Sequence, residues 1–169
     1  PFTLQTARRL FDTEAQTLDK LGDNDQIPQL FAYFEENNQF YLVQEYIEGH
    51  TLSEELPPST PKKNEDEVIK LLEEILTILE FVHQNNVIHR DINPNNIIRR
   101  NLDGKLVLID FGAVKQITTQ LGKVVTVAIG TPGYHPGEQA QGTPQLSSDI
   151  YAVGMIAIQA LTGVYPHKL

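Results

Sequence analysis

The sequence predicts an α+β chain in two unequal lobes, a small helix-and-hairpin half followed by a larger, mostly helical half, with a cleft between them. Three observations carry that expectation. The amino-terminal part opens with one segment of helical periodicity and continues as two β-rich runs around a polar break. A strongly amphipathic helical segment follows a breaker-rich loop. The chain closes with a long apolar segment introduced by an aspartate. At 169 residues there is enough chain for one domain, or two small lobes, with a sizeable core.

The opening segment, "TLQTARRLFDTEAQTLDKLG", reads as a helix ended by Gly22, with Leu4, Ala7, Phe11, Leu18 and Leu21 on one stripe. Glu14 falls inside that stripe. A carboxylate on a buried face is costly unless it is paired, so Glu14 implies a cation opposite it. "QLFAYFEENNQFYLVQEYI" is rich in aromatic and branched residues on both sides of "EENNQ", the pattern of an antiparallel hairpin. The lobe boundary is expected near "EYIEGH", where Gly49 would end the strand, giving lobes of 1–48 and 49–169.

"PPSTPKK" is a loop. From Glu65 to Gln84 a helix is predicted, with Val68, Leu71, Leu72, Ile75, Leu76, Ile78, Leu79 and Val82 on its buried side. Two short strands, "NIIR" and "KLVLID", follow around the turn "NLDG". The stretch from Gly112 to about Ser148 carries few helix signals, and "SDIYAVGMIAIQALTG" reads as a helix buried nearly all round.

Composition narrows the function. The 40% apolar and 21% charged residues match ordinary soluble globular proteins, and no run reaches the roughly 18 apolar residues of a membrane span. No signal-peptide pattern is present, so a cytoplasmic location is expected. The absence of cysteine excludes disulfides and thiolate metal sites. A net charge of -9 argues against nonspecific nucleic-acid binding, which depends on neutralising phosphates. The five histidines show no metal spacing and read as ordinary surface or core residues, His83 and His135 among them.

The chemistry concentrates in "HRDINPNN", His89 to Asn96, and in Asp110 at the end of "LVLI". A hairpin of Ile97–Arg99 and Leu106–Ile109 would hold Asn96 and Asp110 at one end. Two oxygen ligands with open positions suit Mg²⁺, which keeps water or phosphate oxygens around it. Asp91 is then a separate carboxylate, placed to orient a hydroxyl nucleophile. Taken singly, each of these residues is as well explained as the cap of a turn.

Four motifs together go further. "HRDINPNN", "DFG" at Asp110–Gly112, "GTPGYHPGE" at Gly130–Glu138 and "SDIYAVG" at Ser148–Gly154 resemble eukaryotic-type protein kinases in identity, order and spacing, with the first two aspartates 19 residues apart. "QIPQLFAYFEENNQFYLVQEYIEGHTL" is similar to the serine/threonine kinases common in cyanobacteria and other bacteria. The resemblance covers nearly the whole chain and implies a protein-kinase-like two-lobed fold, truncated: the small lobe lacks its first strands and the large lobe its last helices.

The resemblance implies roles. Asp91 matches the base that accepts the substrate hydroxyl proton, and Asn96 and Asp110 match the Mg²⁺ ligands. Glu14 matches the glutamate that pairs with the ATP-binding lysine. Glu45 and Ile47 match the hinge that binds adenine, with Gln44 at the gatekeeper position and Ile98 beneath the ring. Leu18, Leu30, His89 and Phe111 match the apolar column linking the lobes, anchored by Asp149. Arg90 resembles the arginine that reads a phosphate on the activation segment, for which Thr118, Thr119 and Thr126 are candidate acceptors. Thr131 matches the threonine that shapes the catalytic loop and the adjoining substrate pocket. Asn95 reads as a solvated loop residue.

The implied cofactors are ATP and Mg²⁺, and the implied partner is a protein bearing a Ser or Thr acceptor; self-association or autophosphorylation stays open, and no nucleic acid or membrane partner is implied.

The chain departs from the pattern at Asn93, where serine/threonine kinases place a lysine, and at "PGE" of Pro136–Glu138. It also carries no glycine-rich loop and no V-A-I-K-type lysine, and Glu138 has no arginine to pair with. Loss of a cation that stabilises transition-state charge would cost about 10²–10³ in rate, by analogy with removal of one oxyanion donor. Three readings stand: a serine/threonine kinase, a pseudokinase acting as a binding module, and a small-molecule phosphotransferase of kinase-like fold. The last fits least, because such enzymes generally lack a "GTPGY…E" segment. The 169-residue piece alone is expected to transfer little or no phosphate and to expose apolar surface on both lobes.

Overall fold

The structure, a computed structural model, describes residues 4–37, 39–112, 115–116 and 130–168. Helix α1 (Leu4–Leu21) forms where the first stripe predicts it, and the chain leaves it at Gly22. Leu18 and Leu21 are buried as expected, joined by Ala15 and Thr17. Thr17 avoids an orphaned hydroxyl by donating to the Thr13 carbonyl at 2.7 Å.

Strands β1 (Leu30–Glu36) and β2 (Gln39–Gln44) form the predicted antiparallel hairpin, with Tyr33 opposite Leu42 and Phe34 opposite Tyr41. Phe34 and Tyr41 stack across the strands at 5.2 Å between ring centroids. Phe11 of α1 meets Tyr33 at 6.0 Å and Phe40 at 5.1 Å, which docks the hairpin on the helix. Phe31, Tyr33, Phe34, Tyr41 and Val43 nevertheless stay exposed, in line with the expected apolar surface on this part.

The boundary strand differs from expectation. Strand β2 ends at Gln44, and Gly49 opens a new strand, β3 (Gly49–Thr51), instead of ending the previous one. Sterics explain the glycine: a Cβ at position 49 would lie 2.2 Å from the Arg99 carbonyl oxygen, so only glycine lets the two backbones come this close.

Helix α2 (Glu65–Gln84) has the predicted bounds. Asn64 caps it: its Oδ1 accepts from the Glu67 amide at 2.9 Å, while Glu67 Oε2 accepts from the Asn64 amide at 2.8 Å. Glu65, Asp66 and Glu67 put negative charge at the positive end of the helix dipole. Val68, Leu71, Ile75, Ile78, Leu79 and Val82 are buried, and Leu72 packs against them from the side. Leu76 is exposed, a correction to the predicted stripe. Eight apolar residues over four turns exceed the width of one face, and Leu76 is turned out from it.

Strand β4 (Val87–Ile88) leads into the polar loop. Strands β5 (Ile97–Arg100) and β6 (Leu106–Leu108) form the second predicted hairpin, with Ile97 opposite Leu108 and Ile98 opposite Val107. β3 adds to the outer edge of β5, giving the order β3-β5-β6, and β4 pairs antiparallel with β7 (Lys115–Gln116).

A short helix α3 (Gly137–Ala140) precedes α4 (Leu146–Thr162), which ends at Gly163 in the left-handed conformation. α4 is not buried nearly all round. Ala152, Val153, Ile156 and Ala160 are buried in a core shared with α2, whereas Ile150, Tyr151, Ile158 and Leu161 are exposed. No described element covers that second side, so its apolar residues face outward.

Candidate active site

The site is built where the chain leaves β4, crosses the loop His89–Asn96, and returns through β5 and β6 to Asp110. Pairing of β5 with β6 brings its two ends together, and the Ile109 amide donates to the Asn96 carbonyl at 3.0 Å. Asn96 and Asp110 thus stand at the same end of one hairpin, as the sequence predicts.

Asp91 is held on both carboxylate oxygens. Its Oδ1 accepts from the Thr131 amide at 2.9 Å and from Thr131 Oγ1 at 2.7 Å. Its Oδ2 accepts from Asn96 Nδ2 at 3.0 Å, and the same nitrogen donates to the Asp91 carbonyl at 2.9 Å. The Asn96 amide nitrogen is spent on Asp91, which leaves its Oδ1 as an acceptor with no hydrogen bond among the described residues.

Asn93 is 2% exposed, and every polar atom of its side chain is engaged. Nδ2 donates to the Asp91 carbonyl and to Thr131 Oγ1, both at 3.0 Å, and Oδ1 accepts from the Asn95 amide at 2.9 Å. Thr131 Oγ1 therefore accepts from Asn93 and points its own proton at Asp91. Asn95 keeps its side chain in solvent, as expected.

The loop is fixed from below by α4. Asp149, 1% exposed, accepts from the backbone amides of His89 and Arg90, each at 2.9 Å, and from His83 Nε2 at 2.9 Å. His83 is thus a structural histidine at half-buried depth. His89 is fully buried; its Nε2 donates to the Ile109 carbonyl at 3.1 Å and its Nδ1 accepts from the Asp91 amide at 3.3 Å. That pattern requires a neutral ring, and burial pushes the His89 pKa below its ordinary value of 6.5. Phe111 meets His89 edge-on at 4.9 Å, and Leu18 and Leu30 belong to the same core.

Arg90 is buried, with its backbone carbonyl accepting from Gln139 Nε2 at 2.5 Å. Burial lowers its pKa, and the Asp149 charge opposes that shift. Thr118, Thr119 and Thr126 lie outside the described residues. Arg90 and Asp110 hold φ of +73° and +62°, left-handed values that a branched or bulky residue adopts only when its surroundings demand it.

Glu14 reaches the same corner. A Cβ added to Gly112 would lie 3.3 Å from both Glu14 Oε2 and Asp110 Oδ1, so one small gap separates the two carboxylates. Burial, and then the Asp110 charge, push the Glu14 pKa above its ordinary value. No cation pairs with Glu14 among the described residues.

Between the two parts, Glu45 donates its amide to the Gln29 carbonyl at 2.8 Å, and Gln44 pairs with Leu30 at the end of β2. Ile47 is buried, while its amide and carbonyl make no hydrogen bond within the described residues. Ile98 lies on β5 opposite Thr51 and Val107. Sequence reasoning missed two positioning devices: the Asn93 network and the Gln159 amide, which accepts from Tyr134 Oη and donates to the Pro57 carbonyl at 2.9 Å. Both are long-range contacts with no local periodicity to announce them.

A profile described as the protein kinase domain matches residues 4–168. This chain belongs to the protein kinase family. Among its relatives, serine/threonine-protein kinase B of Synechocystis is 46% identical over 181 residues, covering 100% of this chain and 31% of that protein. Serine/threonine-protein kinase C of the same organism is 49% identical over 170 residues, covering 96% and 31%. Serine/threonine-protein kinase PknA of Nostoc is 47% identical over 175 residues, covering 100% and 31%. The chain thus spans about a third of the length of these relatives. The kinase fold is matched by PK-1, the kinase of the Cydia pomonella granulovirus, at a TM-score of 0.74 and 22% identity, covering 91% of this chain and 56% of that one. No described helix is long and apolar enough to cross a membrane.

Proposed function

We propose that the protein carrying this chain transfers the γ-phosphoryl group of ATP to a serine or threonine hydroxyl of a protein substrate. The observation that supports this most is the carboxylate of Asp91, fixed by Thr131 and Asn96 beside the oxygen pair of Asn96 and Asp110. The acceptor oxygen gains the phosphoryl group, its proton passes to Asp91, and ADP is the leaving group.

The donor set suits Mg²⁺. Asn96 presents an oxygen because its nitrogen is spent on Asp91, and Asp110 presents an exposed carboxylate. Bound Mg²⁺ and ATP supply the phosphoryl group and neutralise its charge. The free amide and carbonyl of Ile47 fit the polar edge of adenine, with Glu45, Gln44 and Ile98 around it. Arg90 serves as the reader of an activation-segment phosphate. The division into lobes at 48/49 and a cytoplasmic setting complete this reading.

A radiolabelled-ATP assay of the full-length protein tests it. Transfer to a serine- or threonine-bearing protein is expected, with loss of at least about 10²-fold in Asp91→Asn. Absent transfer, or equal transfer by the variant, rejects the proposal.

A second reading, a pseudokinase, is favoured by one observation: neutral Asn93 fills the place of a cation and is hydrogen-bonded inward. Asn93→Lys separates the two. A large gain from a near-dead start supports the pseudokinase; a modest change around substantial activity supports the enzyme.

A further inference from the structure

Successive side chains of a strand point to opposite faces, and β5 uses its two faces differently. Ile98 lies on one face, level with Thr51 of β3 and Val107 of β6. Ile97 and Arg99 lie on the other, where Ile97 is buried and Arg99 stands opposite His50 of β3.

The Arg99 guanidinium ties three segments together. Its Nε and Nη2 donate to the two oxygens of Glu55 at 2.6 and 3.1 Å, a fork onto the turn that follows β3. Its Nη1 donates to Glu74 Oε2 of α2 at 3.0 Å and to the Gly104 carbonyl at 2.9 Å. Glu55 Oε1 also meets His50 Nε2 at 2.8 Å, which draws β3 into the same knot. Both carboxylates stand on fixed backbone: Leu52 and Leu56 beside Glu55 are fully buried, and Ile75 next to Glu74 is buried in the α2 core.

The sheet needs such a tie. β3, β5 and β6 have three, four and three residues. Buried Ile97, Leu106 and Leu108 press it onto the core, but apolar burial has no direction. A planar fork with set donor directions does, and fixes where the sheet sits along α2. β3 begins two residues after Ile47, and Ile98 adjoins Arg99. One guanidinium therefore sets the offset between the Ile47 backbone and the Ile98 side chain, the two sides of the space read above as the adenine site. Asp91 hangs on Thr131 and Asn96 instead, outside this knot. We infer that Arg99 is a positioning residue for nucleotide binding: with Glu55, Glu74 and His50 it holds β3 and β5 in the offset that lets Ile47 and Ile98 grip a purine, without touching the ligand itself.

This inference rests on the protein-kinase reading, and its test keeps the two separable. Fluorescein-labelled ADP is bound to the full-length protein in the presence of Mg²⁺ and displaced by ADP, adenosine or inorganic triphosphate, with fluorescence anisotropy as the readout. Arg99→Met keeps the apolar stem and removes the fork. Its affinity for ADP and adenosine is expected to fall about threefold to tenfold, the weight of one hydrogen bond, with triphosphate unchanged. Steady-state kinetics should show KM for ATP raised by the same factor and kcat kept, the mark of lost uniform binding. Glu55→Gln loosens the same knot more gently, should lower ADP affinity in the same direction, and decides the question if Arg99→Met does not fold. Arg100→Met breaks the Asp103 pair on the opposite face of β5 and serves as the stability control, with ADP affinity expected to stay at the wild-type value. Unchanged ADP affinity in Arg99→Met, or in Glu55→Gln where that variant alone folds, overturns the inference. So does an equal loss in Arg100→Met, or a fall in kcat with KM unchanged. A wild type that binds neither ADP nor adenosine rejects the kinase reading and the positioning role together. A wild type that binds and transfers, beside variants that bind equally well, rejects the positioning role alone.

Discussion

Replacing Asn93 with alanine removes three hydrogen bonds in one step, and the structure says which of them matter. The Asp91 carbonyl keeps a donor, because Asn96 Nδ2 also reaches it at 2.9 Å. The Asn95 amide loses its acceptor, and Thr131 Oγ1 loses the donor that points its proton at Asp91. Two bonds at about 1 kcal/mol each give a loss of about 2 kcal/mol. For a chain of this size that lowers Tm by about 4–8 °C. Thr131→Val removes the same relay from its other end. If the relay is real, the double variant loses less than the sum of the singles, with a coupling of about 1 kcal/mol. Scanning calorimetry of wild type, both singles and the double measures the cycle, and transfer assays on the same four proteins read the kinetic side, where Asn93→Ala should lower kcat more than it raises KM. Additivity within about 0.3 kcal/mol would show that Asn93 and Thr131 do not act through one another, and would refute the positioning role.

Other perturbations follow from the same contacts. Asp149→Asn turns one of two buried acceptors toward backbone donors as an amide, and should cost about 3–5 kcal/mol, read as loss of a cooperative melt. His89 is held neutral by burial, so the unfolded chain binds more protons between the lowered folded pKa and 6.5. Its contribution is therefore full above about pH 6.5 and is lost as pH falls toward the folded value, at no more than about 1.4 kcal/mol per unit. Urea melts of wild type and His89→Gln across that range check the sign: the variant should show the flatter profile. Gly49→Ala forces a Cβ to 2.2 Å from the Arg99 carbonyl oxygen and should cost about 1–3 kcal/mol, measurable as an earlier urea midpoint.

The sequence was most readable where one physical signal ran long. The span Glu65–Gln84 has an amphipathic stripe, an asparagine cap and acidic first-turn residues that all agree, so its bounds were legible. The meeting of Asn96 and Asp110 was legible because a short turn fixes hairpin register. β3, β4 and β7 were not, since strands of two or three residues have no period to detect. Leu76 and the exposed side of α4 misled because apolar content does not state which side a neighbour will cover. Asn93 was legible as a departure from the motif, but its three partners depend on Thr131 arriving from 38 residues away.

Asp149 has a consequence for the order in which the protein comes into being. The residue that ties the His89 and Arg90 amides lies 60 and 59 positions downstream of them. Synthesis delivers the catalytic loop first and its anchor much later. A nascent chain that has finished "HRDINPNN" already carries all the polar groups of that loop, yet lacks the carboxylate that holds them in place. Order in the loop is thereby tied to emergence of α4 from the ribosome, and an incomplete chain carries the loop without its anchor.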